Sequence, residues 1–585
     1  MELLAVVILG LLLRFLAGKN FLTEKGILMP GYDEFYHMRR ILYTVQNFPH
    51  TLWFDSYLNY PHGWENVWPP LYDQICAAFS LLLGQHSRPG VEIAASFVPI
   101  IFGTIATIVV YFLIREIFDH RTAILASLMT VLAPTYLQYT RFAAMDHHSL
   151  EVLFLLSALL FLILAFCRQE KRYIFAVLAG ISLAALAYTW FGTILYLAII
   201  PVYGAIEMTM ALKNKRPWHE TAIVLMLALS VAIILILPYR NAPWLAESFM
   251  GTAAVLGATA ILSALCYIIT RKNMSWKAFS LAIIILLGAF FLLLSSGPFE
   301  LGSLIKFGLE LIWGGSWVGK ISEAEPLIYD WLTFKQVAFS GLGMNLLFAI
   351  AGFAVILISI RNIQECKRQG LMILLLWAAF AIFLTFGQLG FLYMSTISMG
   401  ILISILFFYL LDLLRDRLGG NNQRSIMLAI LILFLFLTLP SIAEVVNTVV
   451  YSDPMIKGDW QESMAWLKEN SNATSFFDDP VKTPEYSVMC WWDYGNWIMY
   501  MAERPVVASN FQAGWEDAAK FYLSESEENA TALLDERGSK YVFLDHSMAY
   551  GKLGAIANWA HEDLTTYFTA QDYSGSQITV IPTQR

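Results

Sequence analysis

The sequence predicts a polytopic α-helical membrane protein that ends in a water-soluble α/β domain. Three observations lead there. The chain of 585 residues is 58% hydrophobic and only 14% charged, with a mean hydropathy of +0.60; a soluble protein of this length cannot hide that much apolar surface. Apolar runs long enough to cross a bilayer recur from the first residue to about residue 440. From Tyr451 onward Asp, Glu and Asn rise and the apolar runs shorten. The net charge of −8 leaves no general basic face, which argues against nucleic acid as a partner. The five cysteines include no Cys-x-x-Cys pair and give no disulfide framework.

Thirteen runs fit membrane spans, near 1–18, 92–114, 122–140, 149–167, 173–190, 192–212, 220–238, 249–270, 278–296, 336–360, 371–388, 391–413 and 425–440. Met1 to Gly18 has the length of a signal peptide but neither a basic start nor a small-x-small cleavage site, so it reads as a retained first helix. Basic residues collect in alternate loops: Arg115 and Arg121, then Arg168 with Arg172, Lys213 with Arg216, Arg271 with Lys277, Lys367 with Arg368, and Arg415 with Arg424. The positive-inside rule makes that side cytoplasmic and sends everything after residue 441 outside. The expected domains are therefore a transmembrane domain over 1–441, with outer loops, and an extracytoplasmic soluble domain over 442–585.

Three loops share the outer side with that domain. The first runs from Lys19 to about Pro89, with Leu71 to Gly84 expected as a helix along the membrane surface. The second is the turn Arg141 to Glu151. The third, Ser296 to Lys335, has a length that usually signals function. In the soluble domain, Asp459 to Glu469 reads as an amphipathic helix, Pro505 to Ala508 and Tyr541 to Leu544 as strands, and Met548 to His561 as a helix.

Residues able to do chemistry gather on the same outer side. Asp33 follows the first span and Asp146-His147-His148 follows the third. Carboxylate oxygens suit Mg²⁺ or Mn²⁺, and one imidazole is compatible with Mn²⁺. In an extended stretch residues i and i+2 point the same way, so Asp146 and His148 can share one ion. Each residue alone reads better as a polar helix end, with Asp146 as the cap of span four; together, in a chain so poor in charge, they point to function. Glu323, in Lys320-Ile321-Ser322-Glu323, is by itself an ordinary loop acid. The stretch Cys490-Trp491-Trp492-Asp493-Tyr494-Gly495-Asn496-Trp497 places an aspartate among large aromatics, with a glycine that permits a tight turn. Such an aspartate accepts a hydrogen bond in a partly dry setting. The stretch reads as a pocket for a small hydroxyl group or as a turn packed under an aromatic cluster.

Trp491-Trp492-Asp493-Tyr494-Gly495 matches the signature of oligosaccharyltransferase catalytic subunits. The remaining pattern follows in order. Asp33 with Tyr36-His37 resembles the first acidic motif of archaeal members, Asp146-His147-His148 their second, and Ile321-Ser322-Glu323 the end of their external-loop motif, with Lys320 where Thr or Ser is usual. The resemblance implies the C-type glycosyltransferase fold. It implies inverting transfer of an oligosaccharide from a polyprenyl-(pyro)phosphate lipid to the side-chain amide of Asn in Asn-x-Ser/Thr. Asp33, Asp146 and His148 would hold Mn²⁺ or Mg²⁺, and Asp33 and Glu323 would contact the acceptor amide as the catalytic pair. Trp491, Trp492, Asp493 and Tyr494 would hold the Ser or Thr two residues after the asparagine, and loss of that hydroxyl would leave Asp493 unpaired.

Lys552 and Ile556 fit a family Lys-x-x-x-Ile pattern and are expected to line the same pocket, although Ala549 stands where an aspartate belongs and Asp545 lies one turn off. Members often carry an arginine before Phe-x-x-Tyr; here Gly390 precedes Phe391-Leu392-Tyr393. Contact with the lipid pyrophosphate then falls to His147, His62, Arg141 or Trp190, the last equally an interfacial anchor. The partners implied are the lipid-linked donor, an acceptor polypeptide and membrane lipids. The chain would act as a monomer in the cell membrane with its active site on the extracytoplasmic face. Its own sequons Asn472-Ala473-Thr474 and Asn529-Ala530-Thr531 are candidates for self-glycosylation, whereas Asn273-Met274-Ser275 is expected on the cytoplasmic side. The nearest rival, a polyprenyl-phosphate-sugar glycosyltransferase with a lipid or hydroxyl acceptor, shares the acidic first loop but has no reason to carry the tryptophan–aspartate signature. A transporter would place ionisable groups at mid-membrane, whereas these acids cluster at one face.

Overall fold

The structure is a computed structural model that describes residues 1–24, 26–295, 306, 309–310, 312–313, 315, 321–327, 343–359, 364–417, 423–548, 552–563, 568–572 and 578–582. Lys320, Ala549 and most of the loop from Ser296 to Lys335 lie outside the described residues. The chain divides into two compact units. One comprises Met1–Asn20, Trp68–Tyr72 and Ser96–Ser452; the other comprises Phe21–Val67, Asp73–Ala95 and Asp453–Arg585.

The first unit is helical, and the protein is a polytopic helical membrane protein. Among the described residues seven helices are each long and apolar enough to cross a bilayer: Arg88–Ile117, His148–Cys167, Thr193–Lys213, His219–Tyr239, Ala246–Arg271, Glu365–Gly387 and Leu389–Arg415. An eighth is reached if Met427–Phe436 and Thr438–Tyr451, bent by 43° to one another, count as one span. Pro440 sits inside that helix; it removes a backbone N–H and crowds the preceding turn, which bends a helix. The run expected over 122–140 is broken into His120–Val131 and Pro134–Thr140, because proline starts a helix more readily than it continues one. The first helix, Glu2–Gly18, and the helix Arg172–Ala187 are shorter, at 17 and 16 residues.

Where helices in this unit touch most closely, small residues stand at the contact. A Cβ on Gly180 would lie 2.4 Å from the Ala228 carbonyl oxygen, and one on Gly352 equally close to that of Leu402. Such contacts let backbones approach in a medium that offers little hydrophobic drive between helices.

The second unit mixes short strands with helices. The helix Leu71–Leu82 forms where an interfacial helix is expected, and Gly458–Asn470 covers the amphipathic stretch. Strand Ser487–Met489 runs parallel to Ser539–Val542. The strand expected at Pro505 to Ala508 is instead a single bridge between Val488 and Val506, since the segment turns away after Val507 N–H bonds Val488 O. The strand expected over Tyr541 to Leu544 lies two residues earlier, and the last predicted helix is described over Leu553–Trp559.

Candidate active site

In the first unit the site begins at the C-terminus of the first helix. The Phe142 N–H donates to the Arg14 carbonyl at 3.0 Å, and the Arg14 guanidinium donates to the Thr140 hydroxyl at 3.0 Å. Gly18 lies so close to Phe142 that any Cβ there would fall 2.4 Å from the Phe142 carbonyl oxygen. The turn that carries Asp146 is thereby seated on the first helix. Ala143, at φ 67°, reverses the chain, and the helix His148–Cys167 starts two residues after Asp146.

Asp146 and His148 face one another, with Oδ2 and Nε2 3.7 Å apart. The cause is the turn into a helix, not the strand-like alternation expected from their spacing. Asp146 does not cap that helix with its side chain; its Oδ1 takes the His147 N–H at 2.6 Å. His148 is held from its other side: Nδ1 lies 2.9 Å from Glu151 Oε2 and 3.1 Å from the Tyr393 hydroxyl. Glu151 is fully buried, and its Oε1 accepts from the hydroxyls of Tyr196 at 2.8 Å and Tyr393 at 2.7 Å.

Glu323 belongs to the same unit, on the short turn Ser322–Ala324. The Leu389 N–H fastens this loop through Glu325 O at 2.9 Å, and a Cβ on Gly390 would lie 3.4 Å from the Glu323 carbonyl oxygen. Gly390, where the family resemblance implies an arginine, therefore borders Glu323. The Glu323 side chain is exposed, with protein packed close around its carboxyl. That desolvation lifts its carboxyl above the usual range; His148 opposes the lift and Asp146 adds to it. Of the residues expected at the pyrophosphate, His147 bonds Asp146 through Nδ1 at 2.7 Å and packs 6.1 Å from Trp68. Arg141 donates to the Ser452 hydroxyl at 2.7 Å. Trp190 is buried against Tyr196 and Phe391.

The second unit carries Asp33, His62 and the tryptophan–aspartate stretch. Asp33 is the first residue of the helix Asp33–Asn47, and His62 is exposed. The turn before Asp33 is tied to the signature: Tyr32 stacks on Trp497 at 4.8 Å, the Trp497 indole donates to Gly31 O at 3.2 Å, and Asn496 donates to Tyr32 O at 3.3 Å. Burial first, then the charges of Asp493 and Asp545, push the Tyr32 hydroxyl up to about 12.

Gly495 is helical, at φ −57°, so a tight turn is not what requires it. A Cβ there would lie 2.3 Å from Ala508 O, so close backbone approach is the reason. The Asp493 carboxylate is ion-paired with Lys552, whose ammonium also lies 4.1 Å from the Tyr494 ring, so loss of an acceptor hydroxyl would not leave it without a partner. Tyr494 in turn donates to Asp545 at 3.0 Å, which gives a role to the aspartate one turn off the family position. Trp491 and Ile556 are buried, and Trp491 and Trp492 both pack on Trp559. The Trp492 indole N–H is buried and has no hydrogen-bond partner among the described residues.

Sequence reasoning missed Glu151, Tyr196 and Tyr393. The available signal was a lone acid in an otherwise apolar membrane helix, which by default marks function; the tyrosines come from 45 and 242 residues away in sequence.

Fold and site together define a membrane enzyme with a carboxylate–imidazole cluster on one unit and an aromatic, acid-bearing cluster on the other. Residues 4–446 match the family described as oligosaccharyl transferase STT3, N-terminal, and residues 457–549 match the AglB core domain. The chain belongs to this single-subunit archaeal oligosaccharyltransferase family, whose members transfer a lipid-linked oligosaccharide to the asparagine of a sequon. Dolichyl-phosphooligosaccharide-protein glycotransferase 1 of Archaeoglobus fulgidus is 29% identical over 565 residues, covering 92% of this chain and 86% of the relative. Dolichyl-monophosphooligosaccharide–protein glycotransferase AglB of Haloferax volcanii is 22% identical, covering 93% and 64%. The solved A. fulgidus AglB in complex with an inhibitory peptide and a dolichol-phosphate superposes with a TM-score of 0.85 at 23% identity, over 100% of this chain and 74% of that one. Its complex with Zn and sulfate gives 0.80 at 22%, over 100% and 74%. At these identities the likeness of the solved structures is one of fold.

Proposed function

We propose that this chain moves an oligosaccharide from a polyprenyl-(pyro)phosphate carrier to the amide nitrogen of Asn in Asn-x-Ser/Thr, with inversion and with a divalent cation held by Asp33, Asp146 and His148. The observation that carries the proposal is the facing pair Asp146 Oδ2 and His148 Nε2, 3.7 Å apart, with the other imidazole nitrogen turned to Glu151. A carboxylate oxygen and an imidazole nitrogen directed at one point fit Mn²⁺, and they fit Mg²⁺ less well; a relative solved with Zn and sulfate supports a metal in this family. Asp33 joins the set by resemblance alone. When bound, the cation supplies positive charge against the departing phosphate.

The chain's own residues do the rest. An amide nitrogen is a poor nucleophile because its lone pair is delocalised into the carbonyl. Asp33 and Glu323, each accepting one amide N–H, favour rotation about the C–N bond and localise that pair. The nitrogen then attacks the anomeric carbon opposite the leaving phosphate, which inverts the centre. The acceptor Ser or Thr lies among Trp491, Trp492, Asp493 and Tyr494, with Lys552 and Ile556 on the adjoining helix. There the buried Trp492 N–H donates to the hydroxyl oxygen. An acceptor without the hydroxyl leaves that N–H stranded, at a cost of about 1–3 kcal/mol. The pyrophosphate contacts are assigned to His147, His62, Arg141 or Trp190.

In this reading the chain has thirteen spans and the C-type glycosyltransferase fold, a transmembrane domain over 1–441 and an outer domain over 442–585. It works as a monomer in the plasma membrane with the site facing outward. Asn472 is exposed on an irregular stretch and Asn529 lies on the helix Glu527–Glu536; self-glycosylation falls on these two.

The test uses purified protein in detergent with Mn²⁺, a native lipid extract and a fluorescent Asn-Ala-Thr peptide, with Gln-Ala-Thr as control. A gel shift with the asparagine peptide alone, lost with EDTA and in Asp33→Ala, is expected. A shift that survives EDTA would remove the metal from the proposal.

A further inference from the structure

We infer that Glu151 is a positioning residue of this enzyme: with the hydroxyls of Tyr196 and Tyr393 it fixes the tautomer and orientation of His148 and so aims Nε2 at the cation. The inference rests on the metal reading given under Proposed function and gives Glu151 a role that reading does not assign.

The argument starts from burial. Glu151 is 0% exposed on a membrane helix, where an acid is costly unless its oxygens are satisfied. Both are. Oε2 lies 2.9 Å from His148 Nδ1, and Oε1 takes two tyrosine hydroxyls at 2.8 and 2.7 Å. With two tyrosine O–H groups on Oε1, Oε2 is the oxygen that faces the ring, and it accepts from an N–H at His148 Nδ1. The Nε2 lone pair is then the one left to bind a metal, on the side where Asp146 stands 3.7 Å away. A ligating histidine commonly gives its other N–H to a carboxylate in this way, which fixes the ring and raises its basicity.

The same contacts favour a positioning role for Glu151 over one as a ligand. Ligand atoms of His147, His148 and Glu151 do lie within 4.8 Å of one another, but both Glu151 oxygens are committed to the imidazole and the tyrosines. The helix explains the pairing: His148 and Glu151 are three residues apart and so share one face. Tyr196, on the helix Thr193–Leu197, and Tyr393, on the helix Leu392–Arg417, approach from other parts of the unit. Tyr393 also closes the Phe391-Leu392-Tyr393 segment in which this chain lacks the usual arginine.

The experiment is a titration of free Mn²⁺ by electron paramagnetic resonance on detergent-purified wild-type, Glu151→Gln, Tyr196→Phe/Tyr393→Phe and His148→Ala proteins, paired with the peptide-transfer assay over a range of Mn²⁺. Glu151→Gln is expected to weaken Mn²⁺ binding about ten- to a hundred-fold. It should leave KM for the peptide unchanged and regain transfer when Mn²⁺ is raised. The tyrosine pair is expected to show a smaller shift in the same direction, and it decides the matter if Glu151→Gln does not fold. Mn²⁺ affinity within twofold of wild type, or a loss of transfer that excess Mn²⁺ does not restore, overturns the inference. If His148→Ala also binds Mn²⁺ like wild type, the metal reading itself fails; if His148→Ala weakens binding and Glu151→Gln does not, only the role of Glu151 fails.

Discussion

Each unit holds a histidine whose Nδ1 is gripped by a buried carboxylate, and the two differ in what the other carboxylate oxygen does. In the second unit His37 lies 2.6 Å from Asp73, and the other Asp73 oxygen is 2.8 Å from the Arg40 guanidinium; all three side chains are almost fully buried. In the first unit the second oxygen of Glu151 meets two neutral tyrosine hydroxyls. Arg40 cancels the charge of Asp73. The tyrosines satisfy the hydrogen-bonding capacity of Glu151 and bring no opposing charge to it. A neutralised carboxylate beside a histidine locks a fold, whereas one that keeps its charge adds negative potential next to an imidazole and favours a nearby cation. The identity of the second partner sets how much of the carboxylate's charge is offset beside each imidazole.

The sharpest way to break the comparison is Asp73→Asn. It leaves Arg40 buried against a neutral side chain, which costs about 3–5 kcal/mol. Thermal unfolding of the purified protein should show a large fall in midpoint while Mn²⁺ affinity stays near wild type. Replacing both partners, Arg40→Met with Asp73→Leu, should recover most of that loss, because a buried ion pair is often matched by apolar side chains of similar volume. A smaller effect comes from the Lys552–Asp493 ion pair, at the proposed sequon site. Lys552 and Asp493 are partly exposed, at 26% and 19%, so Lys552→Met should change stability by no more than about 1 kcal/mol. It should instead raise KM for the acceptor peptide several-fold with little change in Mn²⁺ dependence.

The smallest effect is on pH. Burial raises the Asp517 carboxyl, but hydrogen bonds and charge from Arg537 overcome it and hold the group below its usual value. A lowered folded value means that its contribution to stability is present above the unfolded value of about 3.9 and is lost as pH falls through the folded one. Arg537→Met should therefore make the unfolding midpoint less sensitive to pH below about 4, measured against wild type in the same detergent.

The sequence was legible where a residue's meaning is carried by its neighbours. The apolar runs became helices, Glu2–Gly18 and His148–Cys167 almost to the residue, and the tryptophan–aspartate stretch pointed to its family by itself. It was silent where partners come from far away. Glu151 looks like any stray acid until Tyr196 and Tyr393 are folded against it. Asp73 and Arg40 are 33 residues apart in sequence, and nothing local links them. Asp493 was expected to lose its partner with the acceptor hydroxyl, whereas Lys552, 59 residues later, pairs with it directly. Gly495 was expected for a turn, yet the demand on it comes from the backbone of Ala508 and Ser509.

The most direct test is the Mn²⁺ concentration needed for half-maximal peptide transfer, measured side by side for wild type, Glu151→Gln and Asp73→Asn at a temperature where all three are folded. The account predicts a rise of about ten- to a hundred-fold for Glu151→Gln and no change for Asp73→Asn. Equal shifts in both variants, or a shift in Asp73→Asn alone, would contradict it.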